Sequence, residues 1–222
     1  YRVYRNKVNV LIGENGAGKS TMMKMLAGVE TPSSGKIILD GKEVTLNSTH
    51  QAEKHGISII FQELNLFPNM NVMDNIFMAN EFFQKGKINE KYQYELAKSL
   101  LERLELNVDP YTQLGELGIG HQQLVEIARA LSKDTRVLIM DEPTAGLDVA
   151  AREDVLDLLR EYMQEKEERA ILISSHISSD LEGLCDDLYM IHNGKIVLHE
   201  ETDVLLGEYA VLKVDEEQYQ TL

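Results

Sequence analysis

Scarce residue types exclude several classes of protein at the outset. The 222 residues include a single cysteine, Cys185, which excludes an internal disulfide and a multi-cysteine zinc site and fits a reducing cytosol. No apolar run approaches the ~20 residues of a membrane helix, and residues 1–25 lack the apolar segment of a signal peptide. We therefore expect a protein that neither spans a membrane nor is exported.

Positive charge is also scarce. Lysine and arginine number 22 against 37 aspartates and glutamates, for a net charge of −15, which argues against nucleic-acid binding through a broad basic face. The imbalance is uneven, because residues 1–60 carry 8 basic and 5 acidic side chains whereas residues 61–222 carry 14 and 32. The acidic excess of residues 61–222 is expected to lie on solvated helix faces. Because residues 1–60 carry a net positive charge, any binding site for an anion is expected there.

Short β-branched segments alternate with helical patterns, which predicts an α/β fold with a largely parallel sheet. The predicted strands are residues 8–12, 36–39, 57–61, 137–140, 171–174, 188–192 and 195–198. The predicted helices of this α/β part are residues 20–27, 149–164 and 178–185. Residues 137–140 and 171–173 are continuously apolar, as strands buried on both faces are. Asp40-Gly41 and Asn193-Gly194 have the composition of hairpin turns.

Residues 72–133 have almost no β pattern, and helical spacing covers residues 94–106 and 122–132. We predict an α-helical subdomain over 72–133, inserted into an α/β core formed by 1–71 and 134–200. Residues 201–222 are expected to form a C-terminal tail, with a helical turn at 204–206 and a last strand at 211–214.

A P-loop motif, G-x-x-x-x-G-K-S, follows the first predicted strand and opens the first predicted helix, which is the context that the motif requires. Its residues are Gly13, Glu14, Asn15, Gly16, Ala17, Gly18, Lys19, Ser20 and Thr21. Glycines let backbone N–H groups surround a β-phosphate. Lys19 is expected to reach the β- and γ-phosphates, and the Ser20 hydroxyl is expected to bind Mg²⁺.

Two acids end the apolar strand at 137–140. A buried strand tolerates carboxylates only where they project from its carboxyl end, which is where α/β sheets bind ligands. We expect Asp141 to hold Mg²⁺ through water, and Glu142 to polarise the attacking water as general base.

The order of motifs resembles the nucleotide-binding domain of ATP-binding cassette (ABC) transporters over about the whole chain. The motifs are the P-loop, Phe61-Gln62-Glu63, a glycine-rich segment entering residues 122–131, Asp141-Glu142-Pro143-Thr144, Ala145-Gly146-Leu147-Asp148 and Ser175-His176. The resemblance implies a P-loop NTPase fold, the ABC ATPase core with an inserted α-helical subdomain. It also implies ATP and Mg²⁺ as cofactors.

The same resemblance implies further site residues and a partner domain. Gln62 is similar to the glutamine that contacts Mg²⁺ and the water, so that Ser20, Gln62 and Asp141 form the metal set. His176 is similar to the switch histidine that contacts the γ-phosphate, and with Glu142 and Gln62 it completes the catalytic set. Asp148 is similar to an aspartate that crosses the dimer interface. The resemblance implies that two such domains dimerise head to tail, as a homodimer or as a heterodimer with a different cassette, and enclose two ATP molecules.

The signature segment departs from the family pattern. Leu117, Gly118, Ile119, Gly120 and His121 stand where the family has Leu-Ser-Gly-Gly-Gln. A serine hydroxyl that bonds the opposite γ-phosphate is lost, although backbone N–H groups at a helix N-terminus can still bind phosphate. A lost hydrogen bond to a charged group costs roughly 1.5–3 kcal/mol, so we expect a weaker ATP sandwich and slow hydrolysis.

The aromatic residue that stacks on adenine in the family has no counterpart here. Only twelve residues precede Gly13, and Tyr1 and Tyr4 are expected to face the sheet instead. The sequence therefore predicts that a first strand and the adenine platform are missing from the chain.

Residues 57–70 and 122–131 resemble sugar-importer ATPases of the ribose/galactoside class. Residues 171–182 and 191–195 resemble bacterial exporter-type cassettes, and a mosaic of the two is favoured slightly over a natural divergent member. Residues 64–77 would face the membrane partner in this family. An apolar stretch that is rich in methionine suits docking to a transmembrane permease subunit, although part of it is expected to pack into the core. Its residues are Leu66, Phe67, Met70, Val72, Met73, Ile76, Phe77 and Met78. The predicted location is the cytoplasm, peripheral on the inner face of the cell membrane.

Three functions follow from these motifs. The leading one is an ATPase that drives solute transport, in the first instance sugar import, by a membrane partner. The second is a nucleotide-gated dimerising clamp with little hydrolysis, and an exporter-type ATPase is a variant of the first. The third, an ABC protein that acts on ribosomes or DNA, is disfavoured by the net charge of −15, so we expect no nucleic-acid partner.

Overall fold

The computed structural model describes residues 1–133, 135–144, 147, 149–175 and 183–208. The strands are β1 (Val8–Ile12), β2 (Ile37–Leu39), β3 (Lys42–Val44), β4 (Ile57–Ile60), β5 (Phe83–Gln84), β6 (Lys87–Ile88), β7 (Val137–Asp141), β8 (Ala170–Ser175), β9 (Asp187–His192) and β10 (Lys195–Glu201). The helices are α1 (Lys19–Leu26), α2 (Thr49–Lys54), α3 (Val72–Phe77), α4 (Glu90–Arg103), α5 (Ile119–Leu131), α6 (Val149–Glu165) and α7 (Thr202–Glu208).

Six strands form the central sheet in the order β10-β9-β1-β8-β7-β4. Pairing is parallel from β9 through β4, and only β10 runs antiparallel, to β9. The apolar strands β7 and β8 lie in the interior of this order, and every residue of β8 is buried, as continuous apolar runs predict. The predicted α/β fold with a largely parallel sheet is confirmed.

The hairpins at Asp40-Gly41 and Asn193-Gly194 are also as predicted. All four turn residues have positive φ, between 48° and 76°, which is the conformation of two-residue turns that match strand twist. The first turn joins β2 to β3 in a separate two-stranded sheet, so residues 36–39 do not belong to the central sheet. The second joins β9 to β10.

The region 72–133 differs in detail from the sequence prediction. A small hairpin, β5–β6, interrupts it, so the expectation of almost no β structure is wrong at that place. The helix α4 begins at Glu90 and ends at Arg103 instead of covering 94–106, and α5 begins three residues before 122. A short 3-10 helix (Leu114–Glu116) leads into α5.

Helices α3, α4 and α5 share one hydrophobic core with the sheet. Phe77 of α3, Leu101 of α4 and Leu124 of α5 are buried in the same cluster as Val10 of β1 and Leu138 of β7. The three helices therefore supply apolar side chains to the core that covers one face of the sheet. Their treatment as an inserted subdomain over 72–133 stays a prediction.

The carboxyl-terminal part confirms one expectation and leaves others open. The predicted helical turn at 204–206 lies within α7. Residues 183–185 are not helical, contrary to the predicted helix over 178–185. The other residues of that helix lie outside the described part of the chain, as does the predicted strand at 211–214. None of the helices in the described ranges combines the length and the hydropathy that a membrane span needs.

Candidate functional site

The P-loop occupies the turn between β1 and α1, at the carboxyl edge of the parallel strands. Gly13 packs so closely on β9 that a Cβ atom there would lie 2.4 Å from the Ile191 carbonyl oxygen. Gly18, which precedes α1, has φ 106°, a conformation that favours glycine. The Gly194 N–H donates to the Ala17 carbonyl over 2.9 Å. The β9–β10 turn therefore braces the loop from one side.

Lys19 is the buried cation of the site. Its side chain is 5% exposed, and Nζ donates to the carbonyl oxygens of Gly13 (2.7 Å) and Glu14 (3.3 Å). The same Nζ lies 3.6 Å from Oε1 of Glu142. The lysine predicted to hold phosphates and the glutamate predicted to act as base thus lie next to each other.

Two acids end β7 at this edge. Asp141 is 4% exposed, and the Ser174 hydroxyl of neighbouring β8 donates to its Oδ1. The Glu142 N–H donates in turn to Ser174 Oγ (3.1 Å) and to the Ser174 carbonyl (3.2 Å). Glu142 has φ 52°, a left-handed conformation that costs a non-glycine residue about 1–2 kcal/mol. Such strain is typical of functional positions.

Ser174 is a site residue that the sequence analysis missed. It joins both acids, and its position follows from the register in which Asp141 pairs with Ser174 across β7 and β8. A serine directly after the apolar residues 171–173 is the signal that could have revealed it, because a buried strand seldom carries an unpaired hydroxyl.

The donor chemistry of the site fits Mg²⁺. Ser20 lies in the first turn of α1, and Asp141 offers a buried carboxylate; hydroxyl and carboxylate oxygens are ligands that this ion uses together with phosphates and water. In the described ranges no group of three or more His, Cys, Asp or Glu side chains could hold a metal by itself. This suits an ion that is bound jointly with a nucleotide.

Gln62 follows β4 in an exposed loop. Its side chain makes no hydrogen bond with another described residue, so the structure places it at the carboxyl edge of the sheet without joining it to Lys19 or to the acids. The other two predictions of this group, His176 of the catalytic set and Asp148 at the interface, lie outside the described residues.

The signature segment lies at the start of α5. Gly118 is the N-cap residue and gives the helix no side-chain cap, and Ile119 is 68% exposed. The Gln122 side chain donates to the Leu117 carbonyl over 2.8 Å. Gly120 faces Leu147, whose Cδ2 would lie 3.5 Å from a Cβ at that glycine. Backbone N–H groups of the first helical turn, including that of His121, are thus presented at an exposed helix end.

The tyrosines before β1 pack on the neighbouring strands β9 and β10. The Tyr1 ring contacts that of Tyr189 on β9 at a centroid distance of 4.3 Å, and Tyr4 stacks on His199 of β10 at 5.9 Å. They face the sheet, as the sequence analysis expected.

The fold and this edge of the sheet define a P-loop nucleotide-binding protein. Lys19 is held by strand β1, the glycine-rich loop and helix α1. Asp141 and Glu142 come from the end of β7, which is separated from β1 in the sheet by β8 alone. The profile of the ABC transporter family matches residues 1–145. The chain belongs to the ABC transporter family.

Curated relatives are about 40% identical and are named for sugar transport. The xylose import ATP-binding protein XylG of Thermoanaerobacter pseudethanolicus is 40% identical over 205 residues, which are 91% of this chain and 40% of the relative. The L-arabinose transport ATP-binding protein AraG of Geobacillus stearothermophilus is 40% identical over 199 residues, 89% of this chain and 38% of that protein. A protein of Halalkalibacterium halodurans, to which import of ribose, galactose or methyl galactoside is ascribed, is 41% identical over 199 residues, 88% of this chain and 38% of that protein. The chain therefore spans about two fifths of the length of these relatives.

Solved ABC cassettes share the fold. The cassette cbiO1 of Clostridium perfringens, part of the transporter complex cbiONQ, has a TM-score of 0.78 at 29% identity, covering 94% of this chain and 82% of its own. MJ1267, an ABC transporter cassette solved in its ADP conformation, has a TM-score of 0.76 at 26% identity, covering 93% and 86%. The predicted P-loop NTPase fold of the ABC ATPase type is confirmed.

Proposed function

We propose that the chain binds and hydrolyses MgATP to drive the import of a sugar through a membrane partner. The observation that carries the proposal is the distance of 3.6 Å between Nζ of the P-loop residue Lys19 and Oε1 of Glu142. Glu142 directly follows the buried Asp141 at the end of β7. A cation for phosphate, a carboxylate for the metal and a carboxylate for water are the groups that phosphoryl transfer to water needs.

Each residue has a defined part in this reaction. Lys19 and the P-loop N–H groups bind the phosphates and balance the charge that develops on them. Glu142 accepts a proton from the attacking water as general base. Ser20, Asp141 and Gln62 would hold Mg²⁺, and the bound ion would supply positive charge that neutralises the phosphates.

The partners follow from the family and from the relatives. A second ABC domain would place its signature segment over the P-loop of this chain, with Asp148 at the interface and His176 at the γ-phosphate. A transmembrane permease subunit would dock on the part of residues 64–77 that includes the exposed Phe67; Val72, Ile76 and Phe77 of the same range are buried in the core. The chain would then lie at the inner face of the cell membrane. Sugar specificity is proposed from the names of the relatives.

Replacement of Glu142 tests the hydrolytic function. The variant Glu142→Gln keeps the size of the side chain but removes the base, so ATP turnover should fall by about 10²-fold or more. Nucleotide affinity should stay close to that of the parent chain, whereas Lys19→Ala should abolish binding. The matched control is Glu161→Gln, on an exposed face of α6, which should leave both measurements unchanged.

The outcomes separate the two candidate functions. Turnover that requires Glu142 supports an ATPase. ATP-dependent dimerisation without Glu142-dependent turnover supports the clamp, for which Gly118 in place of serine is the structural argument. Uptake of labelled xylose, arabinose or ribose by vesicles that contain the permease then tests the sugar.

A further inference from the structure

The segment after Gln62 is held by side chains from two helices. The Asn65 N–H donates to Glu126 Oε1 over 3.3 Å, and Arg129 Nη1 donates to the Asn65 carbonyl over 3.0 Å. Both side chains belong to α5, and their i, i+3 spacing places them on one face of it. Both backbone polar groups of Asn65 are thus bound by the same helix.

A second clamp holds the segment two residues further on. Asn75 of α3 accepts from the Phe67 N–H over 2.7 Å and donates to the Phe67 carbonyl over 3.0 Å. The N–H and carbonyl groups of both Asn65 and Phe67 are therefore hydrogen-bonded. A neighbouring β-strand would bind alternate residues in this way through its backbone, whereas here side chains do so. The α5 clamp is the nearer of the two to Gln62.

Glu126 occupies a position where an apolar side chain would be expected. It is 6% exposed, and its neighbours Leu124, Val125, Ile127 and Ala128 are buried as well. Burial raises the pKa of Glu126 to about 7, although the Asn65 N–H and the Arg129 charge act in the opposite direction. Burial of a carboxyl group costs free energy unless the group is hydrogen-bonded. In this structure the Asn65 N–H donates that hydrogen bond to Glu126.

Helix α5 connects two parts of the proposed mechanism. It begins directly after Gly118, in the predicted signature segment, and eight residues later, about 12 Å along a rigid helix, it carries Glu126. The clamped Asn65 is three residues from Gln62. The end of β4 at Ile60 and the clamp at Asn65 leave only four residues between them, so the clamp restricts where Gln62 can lie.

We propose that Glu126 and Arg129 are positioning residues that link the signature segment to Gln62 within one chain. When the N-terminus of α5 engages the nucleotide of a second cassette, the displacement of α5 moves the backbone of Asn65 and with it Gln62. The two nucleotide sites of a dimer are then coupled through the clamp. This inference rests on the proposed function.

The test uses the purified full chain with three replacements in the clamp. Glu126→Leu removes the acceptor and Arg129→Met removes the donor while keeping an aliphatic stem; each should lower kcat about tenfold. The dissociation constant for MgATP should change less than twofold, because neither residue belongs to the P-loop. Glu126→Gln retains an oxygen acceptor and should restore most of kcat. Glu161→Gln, on an exposed face of α6, is the matched control.

Amide hydrogen exchange gives a readout that does not depend on turnover. Exchange over residues 61–67 should become at least tenfold faster in Glu126→Leu and Arg129→Met, and stay unchanged in Glu126→Gln and Glu161→Gln. Unchanged exchange and unchanged kcat in folded Arg129→Met and Glu126→Leu would overturn the inference. Loss of kcat that Glu126→Gln fails to restore would overturn it too, because the acceptor would then be irrelevant. Failure of the proposed function is separate: the parent chain would lack Glu142-dependent turnover while the exchange result stood.

Discussion

At the residue scale, the site depends on one close approach between backbones. A Cβ atom at Gly13 would meet both the carbonyl oxygen of Ile191 and its side chain, at 2.4 and 2.8 Å. The carbonyl belongs to β9, and Gly13 directly follows β1, which is hydrogen-bonded to β9. Neither backbone can therefore move away without disturbing the pairing of these two strands. Gly13 is needed for space, because its own φ is not positive.

Gly13→Ala should therefore displace the P-loop. We expect a loss of about 2–3 kcal/mol in the free energy of unfolding and loss of MgATP binding, measured by urea denaturation and by nucleotide titration. Gly35→Ala is a useful comparison, because nothing lies within 4 Å of its Cβ position and only its φ of 84° opposes the change. An alanine at Gly13 that binds MgATP normally would show that the loop and β9 can separate.

Glu126 gives a prediction for stability against pH. Its pKa is raised by burial from 4.5 to about 7, so between these values the folded protein holds a proton that the unfolded chain has released. The free energy of unfolding therefore falls as the pH rises through this window, and the contribution is fully present only below it. The total is about 3 kcal/mol.

The variant Glu126→Gln cannot release this proton. Its free energy of unfolding relative to the parent chain should rise by about 3 kcal/mol between pH 5 and pH 8, as urea denaturation at both values would measure. Comparison of the two chains removes the contribution of all other titrating groups. A difference that does not vary with pH would show that Glu126 has an ordinary pKa.

At the scale of elements, the start of α5 offers a clean separation of stability from function. Gly118 is an N-cap with extended φ and ψ and no side-chain cap, and no atom of the described residues lies within 4 Å of its Cβ position. A serine fits there, and its hydroxyl can accept from a free N–H of the first turn.

Gly118→Ser should stabilise the isolated chain by only a few tenths of a kcal/mol. If the segment binds a γ-phosphate on a second cassette, the new hydroxyl should tighten ATP-dependent dimerisation by roughly 1.5–3 kcal/mol, about tenfold or more in the dissociation constant. Thermal denaturation and sedimentation in MgATP measure the two effects. Equal small changes in both would place the segment outside the nucleotide site.

The elements that the sequence predicted and those that it did not differ in length and in periodicity. Strands such as β7 and β8 are apolar over four or more residues, which is sufficient to identify them. Helices α2 and α3 have six residues each, which is too short for a repeating helical pattern of apolar residues to be recognised. Only their N-cap residues, Ser48 and Asn71, could have indicated from the sequence that a helix begins there. The hairpin β5–β6 has two residues per strand, and only Lys85-Gly86 marks its turn.

The site divides in the same way. Residues of the P-loop and the pair Asp141 and Glu142 are contiguous in sequence, so a motif can identify them. Ser174 and Glu126 act through partners that are 32 and 61 residues away, and such contacts depend on sheet order and helix packing, which local patterns do not determine. The roles proposed for Gln62, Asp148, His176 and the signature segment remain predictions.

At the scale of the whole molecule, the relatives bear on the two halves of the sequence. The family profile ends at residue 145, whereas the import relatives align over about nine tenths of the chain. The likeness to sugar importers therefore extends past the point where exporter-like residues begin. The mosaic origin of the chain stays a prediction.

The net charge of −15 has a consequence for assembly. In the proposed head-to-tail dimer, two copies of the chain would repel each other over a distance set by the Debye length, about 10 Å at 0.1 M salt. The phosphates that they would enclose add further negative charge, which Lys19 and the N-terminus of α5 would balance only locally. Long-range repulsion should therefore oppose dimerisation at low ionic strength.

Raising the salt concentration from 50 to 300 mM more than halves the Debye length. We expect the dissociation constant of the dimer to fall several-fold, measured by sedimentation of Glu142→Gln at saturating MgATP so that hydrolysis does not interfere. The protein Glu161→Gln under the same conditions shows whether hydrolysis alters the result. A dissociation constant that rises with salt would mean that charge pairs across the interface outweigh the net repulsion. The acidic side chains of residues 61–222 would then be arranged to face basic groups of the second cassette, because attraction between unlike charges is what salt screens in that case.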